Sequence, residues 1–136
     1  MDQDAWLAQP LAAVFDHLAA PPRLPGWLPE VAAVDADAMQ LAGVGVTFGL
    51  RLRRHGRDVH GIGELIGYEP PWCVAYRLIA GTHTYVLRLT CTSHDGGTQV
   101  RVRQADGMTP LAVDLRRIQA TGPVAGGEGK AGQARD

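Results

Sequence analysis

Two absences limit what this chain can be. Only two of its 136 residues are cysteines, Cys73 and Cys91, and they form no Cys-x-x-Cys motif. This usage is typical of a reduced, cytoplasmic protein and gives no reason to expect a disulfide scaffold. No apolar run reaches the roughly 18 residues of a membrane-spanning helix, and no basic segment precedes an apolar one near the start. We therefore predict neither a membrane span nor a secretory signal.

Cofactor motifs are missing as well. The chain has no His-Glu-x-x-His segment and no cysteine cluster, so we predict no metal site. The pairs Gly43-x-Gly45 and Gly61-x-Gly63 lack the strand-to-helix setting and the full spacing of a dinucleotide fingerprint. We expect neither a cofactor nor a metal.

Lysine is scarce, since Lys130 is the only lysine among thirteen cationic residues. Eight arginines lie within residues 45–105, yet the formal net charge of the chain is −1. This balance gives no strong reason to expect nucleic acid as a partner. The basic run Arg51–Arg57 is a candidate anion-binding segment, although a solvated hairpin is the commoner explanation of such a cluster. A weaker hypothesis is that the arginine-rich face of the sheet makes the chain an anion-binding partner module.

The residues that are present suffice for one core. Hydrophobic residues make up 46% and charged residues 20% of the chain, as in globular domains. A chain of this size buries roughly two thirds of its unfolded surface, so it needs no metal or disulfide to fold. We predict a single domain over residues 1–121. Residues 122–136 are rich in glycine and nearly free of large apolar side chains, which predicts a disordered tail.

The first thirty residues are predicted to be mainly helical. After a weak opening strand over residues 2–8, Leu11, Val14 and Leu18 recur at helical spacing. Pro21-Pro22 ends this helix, and Arg23–Trp27 is interpreted as a turn or a very short helix.

From Val31 onward the apolar period is two, which predicts strands joined by hairpins. Asp95-Gly96-Gly97 is a strong hairpin signal. A final helix is predicted to begin at Thr109-Pro110 and to end before Gly122-Pro123, after about eleven residues. The predicted strands cover residues 31–38, 44–53, 58–69, 72–79, 83–92 and 98–104.

Three stretches carry a resemblance to a known family. They are Pro10–Leu18 with the following Leu24–Val31, then Gly43–Phe48, and then Gly63–Arg77 with Gly97–Val100 later. In these stretches, over about residues 5–105, the sequence resembles the START-like, polyketide cyclase/dehydrase and lipid-transport superfamily, often called SRPBCC.

The resemblance implies an α+β helix-grip fold, with a curved antiparallel sheet of about seven strands around a C-terminal helix. That helix is expected to be unusually short here, because four glycines follow within residues 122–129. The cavity would then be open at one end, or closed by a second subunit of a homodimer.

The resemblance also implies a hydrophobic small molecule as ligand or substrate. We expect a small, cofactor-independent enzyme of natural-product biosynthesis that is similar to polyketide cyclases or dehydratases. Such an enzyme would be a lyase or isomerase that closes a ring by acid–base catalysis and by the shape of its cavity. The alternative is a passive binding or carrier protein for a lipid or polyketide, for which apolar walls suffice.

Four polar residues on the predicted inward faces are the candidate catalytic groups: His60, Glu64, His83 and Tyr85. An imidazole beside a carboxylate can exchange protons near neutral pH, and a tyrosine hydroxyl can hold a carbonyl oxygen as it becomes an enolate. The candidate substrate-binding residues are Trp27, Phe48, Leu50, Leu52, Ile62, Trp72, Tyr76, Leu87 and Leu89.

The facing of these residues is open to alternatives. A bulge at Gly61 or Gly63 would shift the strand by one residue and turn Glu64 to solvent. His83 lies close to a turn, where an exposed hairpin histidine is an equally good interpretation. The tyrosines are also typical of core residues with a satisfied hydroxyl.

Overall fold

One curled antiparallel sheet of seven strands forms the frame of the structure, a computed structural model that describes residues 2–35, 43–105 and 110–118. Its strand order is β1-β7-β6-β5-β4-β3-β2, so five consecutive hairpins follow one another across the sheet and β1 closes one edge against β7. This architecture confirms the predicted α+β helix-grip fold. The strands are β1 (Asp2–Leu7), β2 (Val31–Val34), β3 (Thr47–Arg54), β4 (Arg57–Glu69), β5 (Cys73–Ala80), β6 (His83–His94) and β7 (Gly97–Gln104).

Two short helices, α1 (Leu11–Leu18) and α2 (Leu24–Trp27), lie on one face of the sheet, with a 3-10 turn over Pro21–Arg23 between them. The predicted spacing is confirmed, because Val14 and Leu18 are fully buried against the strands. No helix in the described part of the chain is long and apolar enough to cross a membrane.

The end of α1 depends on a side chain from the sheet. The carbonyl of Leu18 would normally accept a bond from the amide four residues on, but that residue is Pro22, which has no amide hydrogen. Tyr76 replaces the missing donor, since its hydroxyl donates to the Leu18 carbonyl at 2.6 Å. A tyrosine of β5 thus caps the helix.

Alternation along the strands places the core on the concave face. Phe48, Leu50 and Leu52 of β3 are buried, as predicted from their spacing. The same holds for alternate residues of the neighbouring strands, which include Val74, Tyr76, Leu78, Leu87, Leu89, Cys91, Val100 and Val102.

The predicted facing of β4 is wrong. His60 and Ile62 point to the convex face, whereas Gly63 and Leu65 are buried. The register between β4 and β5 shifts between Leu65 and Gly67. The side chains of β4 therefore change faces only beyond that bulge, and not at Gly61 or Gly63, where the sequence suggested a bulge.

Gly61 and Gly63 alternate with Ile62 on β4, and Gly63 faces the core beneath a larger side chain. A Cβ at Gly63 would overlap the ring of Phe48, which sits in register with it on β3. The apolar isoleucine that alternates with these glycines is therefore on the exposed side, and periodicity alone assigned the wrong face.

The convex face carries pairs of opposite charge between strands. Arg53 Nε donates to Asp58 at 2.8 Å, Arg77 lies 3.1 Å from Glu64, and the other pairs are Arg101 with Asp4 and Arg103 with Asp2. Such cross-strand ion pairs stabilise a sheet modestly. Most arginines of this face thus have carboxylate partners within the chain, although Arg88 donates to Cys73 Sγ instead, and this weakens the hypothesis of an anion-binding sheet face.

The expected final helix is wrong for residues 110–118, where the helical structure is a single 3-10 turn over Leu115–Arg117. The apolar residues that suggested a helix, Leu111, Leu115 and Ile118, are buried nonetheless. The segment is held by other groups: the side chain of Gln104 bonds both the amide and the carbonyl of Leu111 at 2.9 Å. Thr109, the expected end at Gly122-Pro123 and the predicted tail lie outside the described residues.

Candidate functional site

A cleft of about 640 Å³ opens at one end of the concave face, where the β3–β4 and β5–β6 hairpins come together. Its lining residues are Leu52, Arg54, His55, Arg57, Val59, Ala80, Gly81, Thr82, His83 and Tyr85. The apolar side chains among them continue from the core, and the polar ones come from the strand ends and turns. The cleft therefore has an apolar inner wall and a polar mouth.

The turn of the first hairpin sets the polar side of this mouth. His55 and Gly56 both have positive φ angles, of 54° and 77°, as the central residues of a type I′ turn require. This two-residue turn puts Arg54 and Arg57 directly opposite each other, and both line the cleft.

Tyr85 is buried at the inner end of the polar group, with 4% of its surface exposed. Arg54 Nη1 donates to its hydroxyl oxygen at 3.1 Å, and the guanidinium carbon lies 5.5 Å from the centre of the Tyr85 ring. Because the hydroxyl oxygen accepts this bond, its own hydrogen is available for a second partner. That hydrogen can be donated to an oxygen of a molecule bound in the cleft.

Arg54 is itself fixed by Glu30, whose Oε2 lies 3.6 Å from Arg54 Nε. The other carboxylate oxygen of Glu30 accepts the amide of Ala112 at 2.9 Å. One carboxylate thus connects the segment that follows the sheet to the guanidinium beside Tyr85.

His83 stands at the exposed rim of the cleft, two residues before Tyr85 on β6. The two ring centres are 6.3 Å apart with the rings edge to face, and His83 Nδ1 lies 3.4 Å from Thr82 Oγ1. An imidazole and a phenol hydroxyl therefore face one space, a pair that can move a proton and hold an oxygen.

Most of the chain is similar in sequence to one protein family. Its sequence matches the family described as polyketide cyclase/dehydrase and lipid transport over residues 6–129. The chain belongs to this family. The resemblance to the START-like superfamily is confirmed, and membership supports a cyclase-like or ligand-binding role. A comparison with curated proteins gives no match.

Several solved structures share the fold at low sequence identity. Protein CV1439 from Chromobacterium violaceum is 16% identical, with 81% of this chain and 83% of that chain covered and a TM-score of 0.63. DR_A0006 from Deinococcus radiodurans is 18% identical, with 77% and 81% covered and a TM-score of 0.61. The di-domain ARO/CYC StfQ from the steffimycin biosynthetic pathway is 12% identical, with 84% of this chain but 36% of that chain covered and a TM-score of 0.60. At these identities the likeness shows the fold alone.

The cleft brings together only part of the predicted residue set. His83, Tyr85 and Leu52 line it, whereas His60 and Glu64 do not. His60 is exposed on the convex face, and Glu64 is half-buried there with Arg77. Placing these two in the cavity was wrong, because the bulge of β4 lies beyond them.

The remaining predicted substrate-binding residues fall into two groups outside the cleft lining. Ile62 and Trp72 are exposed, at 60% and 54%, and Trp72 lies at the end of β5 opposite to the cleft. The others are buried in the core: Trp27, Phe48, Leu50, Tyr76, Leu87 and Leu89.

Arg54 was predicted only as part of the candidate anion-binding segment Arg51–Arg57, not as a cavity residue, and Glu30 was not predicted in the site at all. The signal for Arg54 was present, since it continues the inward series of Phe48, Leu50 and Leu52 by one more alternation. Glu30 carries no comparable signal, because its approach to Arg54 depends on the pairing of β2 with β3. Within residues 2–35, 43–105 and 110–118, no three His, Cys, Asp or Glu side chains are grouped to hold a metal ion.

Proposed function

We propose that this protein binds a hydrophobic small molecule with carbonyl groups in the cleft and promotes its ring closure or dehydration without a cofactor. The observation that carries the proposal is the bond from Arg54 Nη1 to the Tyr85 hydroxyl oxygen. This bond leaves the hydroxyl hydrogen of a buried phenol for a carbonyl oxygen, and it keeps a cation close to the charge that develops there. The apolar wall of Leu52, Val59 and Ala80 would hold the carbon chain.

The proposed reaction is an intramolecular aldol addition. His83 takes a proton from the carbon beside a carbonyl, and the electron pair moves onto the oxygen that Tyr85 holds. The resulting enolate carbon then attacks a second carbonyl of the same molecule, whose oxygen receives the proton back from His83. Loss of this hydroxyl together with a neighbouring hydrogen releases water and forms a double bond. Holding both carbonyls in one cleft contributes through proximity.

A turnover assay tests the proposal. The full chain is incubated with a synthetic poly-β-ketone thioester, and the cyclised product is measured by chromatography and mass spectrometry against the spontaneous reaction. Removing one oxyanion donor lowers rates about 10²–10³-fold, and removing an acid–base group about 10²–10⁴-fold. We therefore expect Tyr85→Phe and His83→Gln to lower the rate by about a hundredfold or more, with thioester affinity within a few-fold of wild type.

The chain offers a matched control for the histidine. His94 is the last residue of β6 as His83 is the first, and it is exposed beside Asp95. The variant His94→Gln should keep the wild-type rate. Loss of turnover in both histidine variants, or equal rates in His83→Gln and wild type, would contradict the assignment of His83.

A passive carrier is the second candidate. The position of His60 and Glu64 outside the cleft favours it, because only part of the expected acid–base set remains at the mouth. A carrier predicts saturable binding of the thioester with product formation at the spontaneous rate. In that case Tyr85→Phe would change affinity alone.

We keep a homodimer as part of the proposal, since a second copy could close the open side of the cleft. Sedimentation velocity over a range of concentrations would distinguish a dimer from a monomer.

A further inference from the structure

The ionisable side chains that line the cleft are mainly basic. Four of its lining residues are arginines or histidines, and none of the described residues that line it is a carboxylate. The four are Arg54, His55, Arg57 and His83. A cleft whose walls otherwise suit an apolar molecule thus carries excess basic groups at its mouth.

The two arginines face each other across the hairpin. Arg54 and Arg57 are register partners, and directly opposed like charges on one face of a sheet are destabilising. Glu30 offsets the charge of Arg54 at 3.6 Å. Arg57 has no ion pair or side-chain hydrogen bond within the part of the chain that the structure describes.

The neighbouring arginines behave differently. One register position further from the turn, Arg53 opposes Asp58 on the convex face and forms an ion pair with it. Arg101 likewise has Asp4 as its partner. Among the described residues, carboxylates thus pair with Arg53 and Arg101 on the outer face but not with Arg57 at the cleft.

We propose that the ligand of this cleft carries an anionic oxyacid group, a carboxylate or a phosphate, held at the mouth between Arg54 and Arg57. Guanidinium groups bind both of these anions through paired N–H donors, and such an anion would offset the opposed charges of the hairpin. The apolar part of the ligand then lies against Leu52, Val59 and Ala80. This inference rests on the proposed function only in requiring that the cleft bind a small molecule.

Two matched pairs of probes test the inference by NMR titration of the ¹⁵N-labelled full chain. The first pair is 2-naphthoate and methyl 2-naphthoate, and the second is 2-naphthyl phosphate and 2-naphthol. Each pair keeps the same rings and differs in the anionic group. The protein variants are Arg57→Gln and, as a control, Arg103→Gln on the convex face. Unchanged dispersion of the amide spectrum verifies that both variants are folded.

We expect the anionic member of at least one pair to bind about fivefold or more tightly than its neutral partner, which corresponds to about 1 kcal/mol. Arg57→Gln should remove most of that preference, Arg103→Gln should keep it, and added salt should weaken it. Whichever anion binds more tightly identifies a carboxylate or a phosphate as the natural group.

Two results would overturn the inference in distinguishable ways. Equal affinity of the acids and their neutral partners, with cleft resonances shifting in both, would refute the anionic group and leave the binding cleft standing. If none of the four probes shifts the resonances of Tyr85 and its neighbours, cleft binding itself is wrong, and the inference fails with it.

Discussion

The hydroxyl of Tyr76 should stabilise the fold and take no part in ligand chemistry, and the variant Tyr76→Phe isolates it. The ring of Tyr76 is fully buried in the core, and its hydroxyl donates to the Leu18 carbonyl at 2.6 Å. Burial raises the pKa of this phenol far above its usual range, so it remains a neutral donor at any working pH. Residues 21 and 22 are prolines, so the two amides that could close the helix end on this carbonyl are missing.

The magnitude follows from what the substitution leaves behind. Phenylalanine keeps the ring and its packing, including the contacts with Trp27 and Phe48, but the buried carbonyl of Leu18 loses its donor. Leaving such an acceptor unsatisfied costs about 1–3 kcal/mol, so we expect the free energy of unfolding to fall by about 2 kcal/mol. For a chain of this size that loss corresponds to a melting temperature roughly 5–8 °C lower.

Urea unfolding followed by tryptophan fluorescence and by circular dichroism measures this change. The midpoint should fall while the slope with urea stays constant, because the surface exposed on unfolding is unchanged. Tyr85→Phe is the matched control, since its hydroxyl lies at a cleft and its partner Arg54 keeps Glu30. The loss in free energy of unfolding should be smaller than that of Tyr76→Phe, because the freed guanidinium of Arg54 keeps its carboxylate partner and borders an open cleft.

A loss below about 0.5 kcal/mol for Tyr76→Phe would refute the capping argument. So would equal losses in the two tyrosine variants, because only the Tyr76 hydroxyl caps a helix, whereas the Tyr85 hydroxyl lies at the cleft.

The two remaining predictions concern a thiol and a carboxyl. Burial raises the pKa of Cys91 to about 12, so at pH 8 only about one Cys91 in ten thousand is the reactive thiolate. Iodoacetamide should therefore label Cys73, which packs beside Arg88, well before Cys91 in the folded chain. Peptide mass spectrometry measures the two labelling rates, and equal rates would contradict this expectation. The hydrogen bond from Arg53 lowers the pKa of Asp58 below its ordinary value of 3.8. The pair thus contributes stability above pH 3.8 and loses it as the pH falls further. In urea titrations, the difference in free energy of unfolding between wild type and Asp58→Asn should be present at pH 7 and should shrink towards pH 2. A difference that grows on acidification would refute the assignment.

Much of the fold follows from local patterns. The prolines at 21 and 22 end α1 whatever surrounds it, and the alternation of Phe48, Leu50 and Leu52 specifies both the strand and its buried face. Hairpin turns such as Asp95-Gly96 depend on residues that tolerate positive φ, which are also local. The strand series and the family resemblance could therefore be predicted from the sequence.

The facing of β4 and the candidate site could not be predicted in the same way. On β4, apolar residues and glycines alternate, and which of them is buried depends on Phe48 lying over Gly63 from the next strand. His60 and Glu64 were consequently assigned to the wrong side. The predicted boundary at residue 121 and the tail beyond it lie outside the described residues and stay predictions.

By itself the sequence determined the order of the strands and of the first helices, the turns and the buried faces of most strands, because these depend on interactions between residues close together in the chain. The tertiary structure alone decided which polar groups meet. Arg54 contacts Glu30, 24 residues before it, and Tyr85, 31 residues after it. The same holds for the segment after β7, whose amides bond Gln104, Glu30 and Trp27 in place of a helix. Two of those partners, the Glu30 carboxylate and the Trp27 carbonyl, lie more than 80 residues earlier in the chain, and no local periodicity records them.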